Sequence, residues 1–196
     1  MRFFLLILCP ALVLTACQGD SGTEELPVLG TGPIQDFTFI DQQGDTVTPA
    51  TFDDHIYVAD FFFTSCPSIC PIMTANMLEV HDAFADEDGL LFLSHSIDPA
   101  RDTVETLRRY AGKLGVTADR WHFVTGDEEA IYDMAENYMV TAMPDEAAPG
   151  GFAHSGHFIL VDDERRIRGV YDGTEDSDVA ELMDDIPVLL RELEAE

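Results

Sequence analysis

The sequence predicts an α/β fold in which a central mixed sheet is flanked by helices and preceded by an N-terminal β-hairpin. Three observations predict it. Apolar runs of strand length alternate with stretches of helical periodicity through the middle of the chain. Two of those runs, residues 56–63 and 89–97, are almost continuously apolar, as strands buried on both faces are. The last third changes pattern, to two short strand-like runs joined by a polar turn and followed by a long amphipathic stretch.

The elements follow in order. Residues 36–40 and 46–48, separated by Asp41-Gln42-Gln43-Gly44-Asp45, form the opening hairpin. Residues 56–63 are the first buried strand, and they run directly into Cys66-Pro67-Ser68-Ile69-Cys70-Pro71. Beyond the cysteines, Ile69, Ile72, Met73, Asn76, Met77, Val80 and Phe84 recur at helical spacing. The methionines among them are core residues rather than ligands. Residues 89–97 are the second buried strand. Residues 103–114 form a helix with Val104, Leu107, Tyr110 and Ala111 facing inward. Residues 121–125 are a short strand and 127–138 a helix. Residues 139–153 are a loop rich in Met, Pro and Gly. Residues 158–161 and 167–171 make a second hairpin, and 178–193 the closing helix. A pair of cysteines directly after a central strand, opening the next helix, is the layout of a thioredoxin-like fold.

The first sixteen residues stand apart from this fold. Arg2 is a minimal positive region, residues 3–14 an apolar stretch too short to span a bilayer comfortably, and Leu14-Thr15-Ala16-Cys17 a lipobox followed by polar residues. They resemble the signal peptide of a bacterial lipoprotein, residues 1–16, with Cys17 as the lipidated N-terminus after cleavage. Residues 17–33 read as a flexible tether and 34–196 as a single domain. The expected location is the cell envelope, anchored to a membrane and facing the periplasm or the exterior.

Composition narrows the partners. The chain is 46% hydrophobic, enough for a real core, and carries 10 basic against 38 acidic residues, a net charge of −28. That argues strongly against nucleic acid, or an anionic membrane surface, as a partner. The acidity reads as a solvated surface. It also fits work in high salt, where charges are screened within about 3 Å at 1 M.

Of the four cysteines, Cys9 leaves with the leader and Cys17 carries lipid, so Cys66 and Cys70 are the remaining thiols. On one helical face their sulfurs can converge to close a disulfide, hold a soft metal, or do both at different times. Outside the cytoplasm the pair is oxidised to a Cys66–Cys70 disulfide unless reduced or metallated. So short a loop removes little entropy from the unfolded chain, and a purely stabilising role explains the pair badly. A helix N-terminus favours thiolate, the species that attacks disulfides and binds metal. A copper or zinc site also wants an imidazole. Six histidines are available: His55, His81, His95, His122, His154 and His157. His55 lies at the wrong end of its strand and His81 far along its helix. His95 and His122 sit within strands as core candidates. His154 lies where a thioredoxin-like fold brings a loop over its cysteines, with His157 in reserve.

Four segments together resemble the Sco/SenC family of copper chaperones. They are Thr64-Ser65-Cys66-Pro67-Ser68-Ile69-Cys70-Pro71, Ser96-Ile97-Asp98-Pro99-Ala100-Arg101-Asp102-Thr103, Trp121-His122-Phe123-Val124-Thr125-Gly126 and Phe152-Ala153-His154-Ser155, and the likeness covers residues 34–192. The resemblance implies that Cys66, Cys70 and His154 are ligands of copper, as Cu(I) or Cu(II). Asp98 is at most a neighbouring or docking residue, or a turn and helix cap together with Asp102. Where many family members carry an acid before the histidine, this chain has Ala153. The resemblance implies a copper-binding metallochaperone that loads the dinuclear copper centre of a respiratory cytochrome c oxidase. The alternative is an envelope thiol–disulfide oxidoreductase that reduces the recipient's cysteines. A peroxidase-like relative is a weaker third reading, opposed by the second cysteine and the histidine segment.

Overall fold

The structure, a computed structural model, describes residues 25–195. The expected leader, Cys17 and the first part of the tether lie outside the described residues. β1 (Phe39–Ile40) and β2 (Thr46–Val47) pair antiparallel, with Phe39 opposite Val47. The turn between them is held by Asp41, whose Oδ1 accepts the backbone N–H groups of Gln43 and Asp45.

β3 (Ile56–Phe62) leads through the cysteine segment into α1 (Cys70–Ala83), which buries Cys70, Met73, Met77 and Val80. β4 (Leu90–Ser96) then pairs with β3 in parallel along its whole length, Asp60 opposite Ser94. Both strands are buried throughout, which is why neither shows polar alternation. α2 (Val104–Leu114) starts at Thr103, whose hydroxyl accepts the Thr106 N–H, and stops at Gly115 in the left-handed region. β5 (Trp121–Val124) adds to β4 in parallel. α3 (Glu128–Asn137) is capped by Asp127, which accepts the Ala130 N–H.

The stretch 139–153, expected as a loop, contains a small antiparallel ribbon. β6 (Ala142–Pro144) pairs with β7 (Phe152–His154), placing His154 opposite Ala142. Two positive-φ glycines, Gly150 and Gly151, close the turn. Glycine and proline density hid these strands, which are three residues each. The chain then continues into β8 (His157–Val161), antiparallel to β3, and β9 (Ile167–Asp172), antiparallel to β8.

The main sheet therefore has the order β5-β4-β3-β8-β9, parallel on one side of β3 and antiparallel on the other. The closing helix α4 (Asp176–Glu194) begins two residues earlier than its periodicity indicated and packs on β9 and α1. Where the tether was expected, Leu29 bridges to Ile167, and the Leu26 carbonyl accepts a 2.6 Å hydrogen bond from Arg168. Among the described residues no helix is long and apolar enough to cross a membrane. The mixed sheet and flanking helices are those of a thioredoxin-like fold. They put the cysteine segment at the end of β3, the central strand, next to the end of β4.

Candidate metal centre

The cysteine segment is a loop before a helix, not the first turn of one. The Cys66 N–H donates to the Phe63 carbonyl at 3.1 Å, folding the chain back as it leaves β3. α1 starts only at Cys70, with Pro71 in its first turn, where a missing N–H costs little. Pro67 precedes the helix altogether. The two cysteines thus do not share a helical face. Cys70 projects from α1 and Cys66 reaches it from the loop, and both are buried free thiols.

His154 arrives from the separate β6–β7 ribbon. Phe63, the residue after β3, packs against Phe152 of that ribbon at 5.1 Å between ring centroids and meets the His154 ring edge-on at 5.8 Å. Gly150 permits this approach: a Cβ there would lie 2.7 Å from the Phe63 ring. The result puts His154 Nε2 3.3 Å from Cys70 Sγ and 3.9 Å from Cys66 Sγ. The three potential ligand atoms all lie within 4.8 Å of one another. A trigonal ion about 2.2 Å from each donor needs donors about 3.8 Å apart. The observed spread brackets that separation. Among the described residues, no other three His, Cys, Asp or Glu side chains converge this way.

The three groups differ electrostatically. Burial opposes ionisation of Cys66, but hydrogen bonds from Cys70, from the Ser68 and Cys70 backbone and from the Ser68 hydroxyl outweigh it and lower the thiol's pKa. Cys70 is pushed strongly upward, first by burial and then by its hydrogen bond to Cys66. Of the two sulfurs, Cys66 is therefore the more readily ionised. His154 is pushed down by burial, partly offset by the Ser155 carbonyl. Its Nδ1–H donates to that carbonyl at 3.3 Å, which fixes the tautomer and turns the Nε2 lone pair toward the sulfurs. The Ser155 carbonyl thus orients the ring in a chain that has Ala153 in place of an acid.

The other histidines lie elsewhere. His157 starts β8 opposite Asp172 and does not join the group. His95 is fully buried, stacked on Phe61 at 4.6 Å, and burial drives its pKa down to about 3. His122 pairs with Asp41 at 3.2 Å, His81 packs on Phe92 and Trp121, and His55 contacts the Asp53 carbonyl. The Asp98 carbonyl accepts the Arg101 and Asp102 N–H groups, and its carboxylate pairs with Arg101 at 2.8 Å. That is a turn role. Asp102, grouped with it as a cap, is not one, because Thr103 caps α2. Its carboxylate instead reaches back to Thr64 and Ser96. Composition and spacing carried no sign of that contact.

Two features of the surroundings complete the site. Residues 61–78 contain no charged side chain, in a chain of net charge −28. A groove of about 340 Å³ opens beside the cysteines, lined by Cys66, Cys70, Pro71, Thr74, Tyr110 and Leu114 among others.

Known structures share this fold. A SCO1/SenC lipoprotein from Bacillus anthracis superposes with a TM-score of 0.74 at 26% identity, over 81% of this chain and 95% of that one. BsSco, described as having a disulfide switch and as a member of the Sco family of cytochrome c oxidase assembly proteins, superposes at 0.72 and 26% identity, over 85% and 98%. ScoI from Arabidopsis thaliana, solved with copper bound, does so at 0.67 and 26%, over 81% and 98%. The sequence profile of the SCO1/SenC family itself matches residues 31–190, from before the opening hairpin to within the closing helix. With a match that spans the whole sheet and both halves of the Cys–Cys–His group, the chain belongs to the SCO1/SenC family.

Proposed function

We propose that this protein binds copper through Cys66, Cys70 and His154 and carries it, in the bacterial cell envelope, to a respiratory cytochrome c oxidase. The observation that carries the reading is the convergence of two sulfurs and one imidazole nitrogen within 4.8 Å. Two soft thiolates and an imidazole suit Cu(I), and the imidazole helps to accommodate Cu(II). Copper here is cargo. Cys66, already the more acidic thiol, takes the ion first. Cys70 follows as its proton is displaced, and His154 closes the triad. Release runs in the opposite order, as the recipient's sulfurs replace these ligands one at a time. The oxidase as recipient is supported by the assembly role of the Sco family named for BsSco. The leader of residues 1–16, the lipid on Cys17 and the tether to residue 33 belong to this proposal. The B. anthracis relative, itself a lipoprotein, supports them.

A second reading is favoured by one observation. The lowered pKa of Cys66 beside the raised pKa of Cys70 is the asymmetry of an attacking and a resolving thiol. On that reading the pair reduces the recipient's cysteines before copper is passed.

Anaerobic Cu(I) titration of the reduced protein tests the first reading. One copper per chain is expected, with His154→Ala weakening binding by about 10- to 100-fold and His157→Ala leaving it unchanged. Stoichiometric binding indifferent to the loss of His154 would remove the ligand assignment. Copper-independent reduction of a peptide disulfide would favour the second reading.

A further inference from the structure

We infer that Asp102 is the positioning residue of the metal centre, holding the cysteine loop in its ligating shape without touching a ligand. The inference rests on the copper-site reading above. The Asp102 carboxylate is 1% exposed and accepts three hydrogen bonds from two other segments. The Thr64 backbone N–H reaches Oδ2 at 2.9 Å. The Thr64 hydroxyl donates to Oδ1. The Ser96 hydroxyl donates to Oδ2 at 2.6 Å. Thr64 stands two residues before Cys66 and two beyond the end of β3, where the loop departs. Ser96 is the last residue of β4.

The carboxylate therefore ties the first residues of the cysteine loop to the neighbouring strand at the point where main-chain pairing runs out. The last ladder bond there is the Ile97 N–H to the Phe62 carbonyl at 2.9 Å. Beyond it, Asp102 supplies the anchor. Among the described residues no cation pairs with it, Arg101 pairing with Asp98 instead, so its interaction capacity is directed at Thr64 and Ser96. Asp102 is itself fixed by its N–H, which donates to the Asp98 carbonyl at 2.8 Å. The Ser96–Thr103 segment, recognised by its sequence, thus acts on the metal through Thr64.

Without this anchor, the ordering of the loop has to be supplied by metal binding itself, and affinity falls. The test compares Asp102→Ala, Asp102→Asn, Thr64→Val and Thr64→Ser in the purified full chain. The readouts are Cu(I) affinity by competition with a chromophoric chelator, and the thiolate-to-Cu(II) absorption bands. Cys9 and Cys17 are common to all forms, so differences report on this site. Asp102→Ala is expected to lose about 10- to 100-fold in Cu(I) affinity and to shift the Cu(II) bands. Thr64→Val, isosteric but without the hydroxyl, shifts both in the same direction by less. Thr64→Ser restores them. Asp102→Asn stays within about threefold of wild type, since its amide can still accept from the Thr64 N–H and Ser96 and donate to the Thr64 hydroxyl oxygen.

Folded Asp102→Ala with wild-type affinity and bands would overturn the inference. So would an equal loss in Asp102→Asn, which would assign the effect to charge. If Asp102→Ala does not fold, the Thr64 pair decides alone, and equality of Val and Ser would overturn it. Failure of the wild type to bind Cu(I) would instead overturn the copper-site reading.

Discussion

Asp60 has no assigned task, yet its carboxyl is buried in the middle of β3 with Oδ1 unpartnered. Burial pushes its pKa up to about 7, partly opposed by Ser94. A carboxyl raised in the folded state adds stability that is complete below its unfolded value and lost as pH rises through the folded one. The window is therefore from the ordinary 3.8 up to about 7. Asp60→Asn is expected to flatten the fall in melting temperature across that window, with a relative gain on the order of a few kcal/mol at pH 8. Parallel pH profiles for the two proteins would count against it. His95, held at about 3 by burial, acts in the opposite sense. It contributes stability above its ordinary 6.5 that is lost as pH falls toward 3. At the same scale, the convergence of Cys66, Cys70 and His154 was legible because short motifs and their order carried it. Asp102 was not, because its partner Thr64 is 38 residues away in sequence and no pattern encodes that pairing.

Among the elements, the long ones could be read directly. The buried strands β3 and β4 and the helix α2 have continuous apolar or 3.6-residue patterns, and their ends carry capping residues or turns. The β6–β7 ribbon could not be read, since three-residue strands pair only when the rest of the fold brings them together. Its glycines now make separable predictions. Gly150 is at φ 82° with the Phe63 ring in the way of any side chain, while Gly151 is at φ 90° with open space around it. Both alanine variants incur left-handed strain of about 1–2 kcal/mol. Only Gly150→Ala should also push Phe63 and the ribbon apart, lowering Cu(I) affinity by about 10-fold on the same footing as other supporting residues. Equal affinities in the two variants would show that the ribbon tolerates the displacement. The helical face expected to unite the cysteines was wrong for a local reason. With Pro67 and Pro71 in place, α1 begins at Cys70, and the Cys66 N–H turns back to Phe63 instead.

Taken whole, the molecule carries 38 acidic residues against 10 basic ones, which was evident from composition, although composition does not reveal where the charges are absent. Self-repulsion on this scale destabilises the folded state at low ionic strength and is screened within about 3 Å at 1 M salt. Melting temperature is expected to rise from dilute buffer to molar sodium chloride, and a fall would refute a surface suited to high salt. The uncharged span from residue 61 to 78 gives this field a further consequence. The acidic body draws in cations without regard to kind, yet no carboxylate joins the two sulfurs and the imidazole. A hard ion arriving there finds none of the anionic oxygen it prefers, whereas a soft ion finds its natural donors. On the copper reading proposed above, the site would sort by chemical hardness what long-range attraction collects by charge alone.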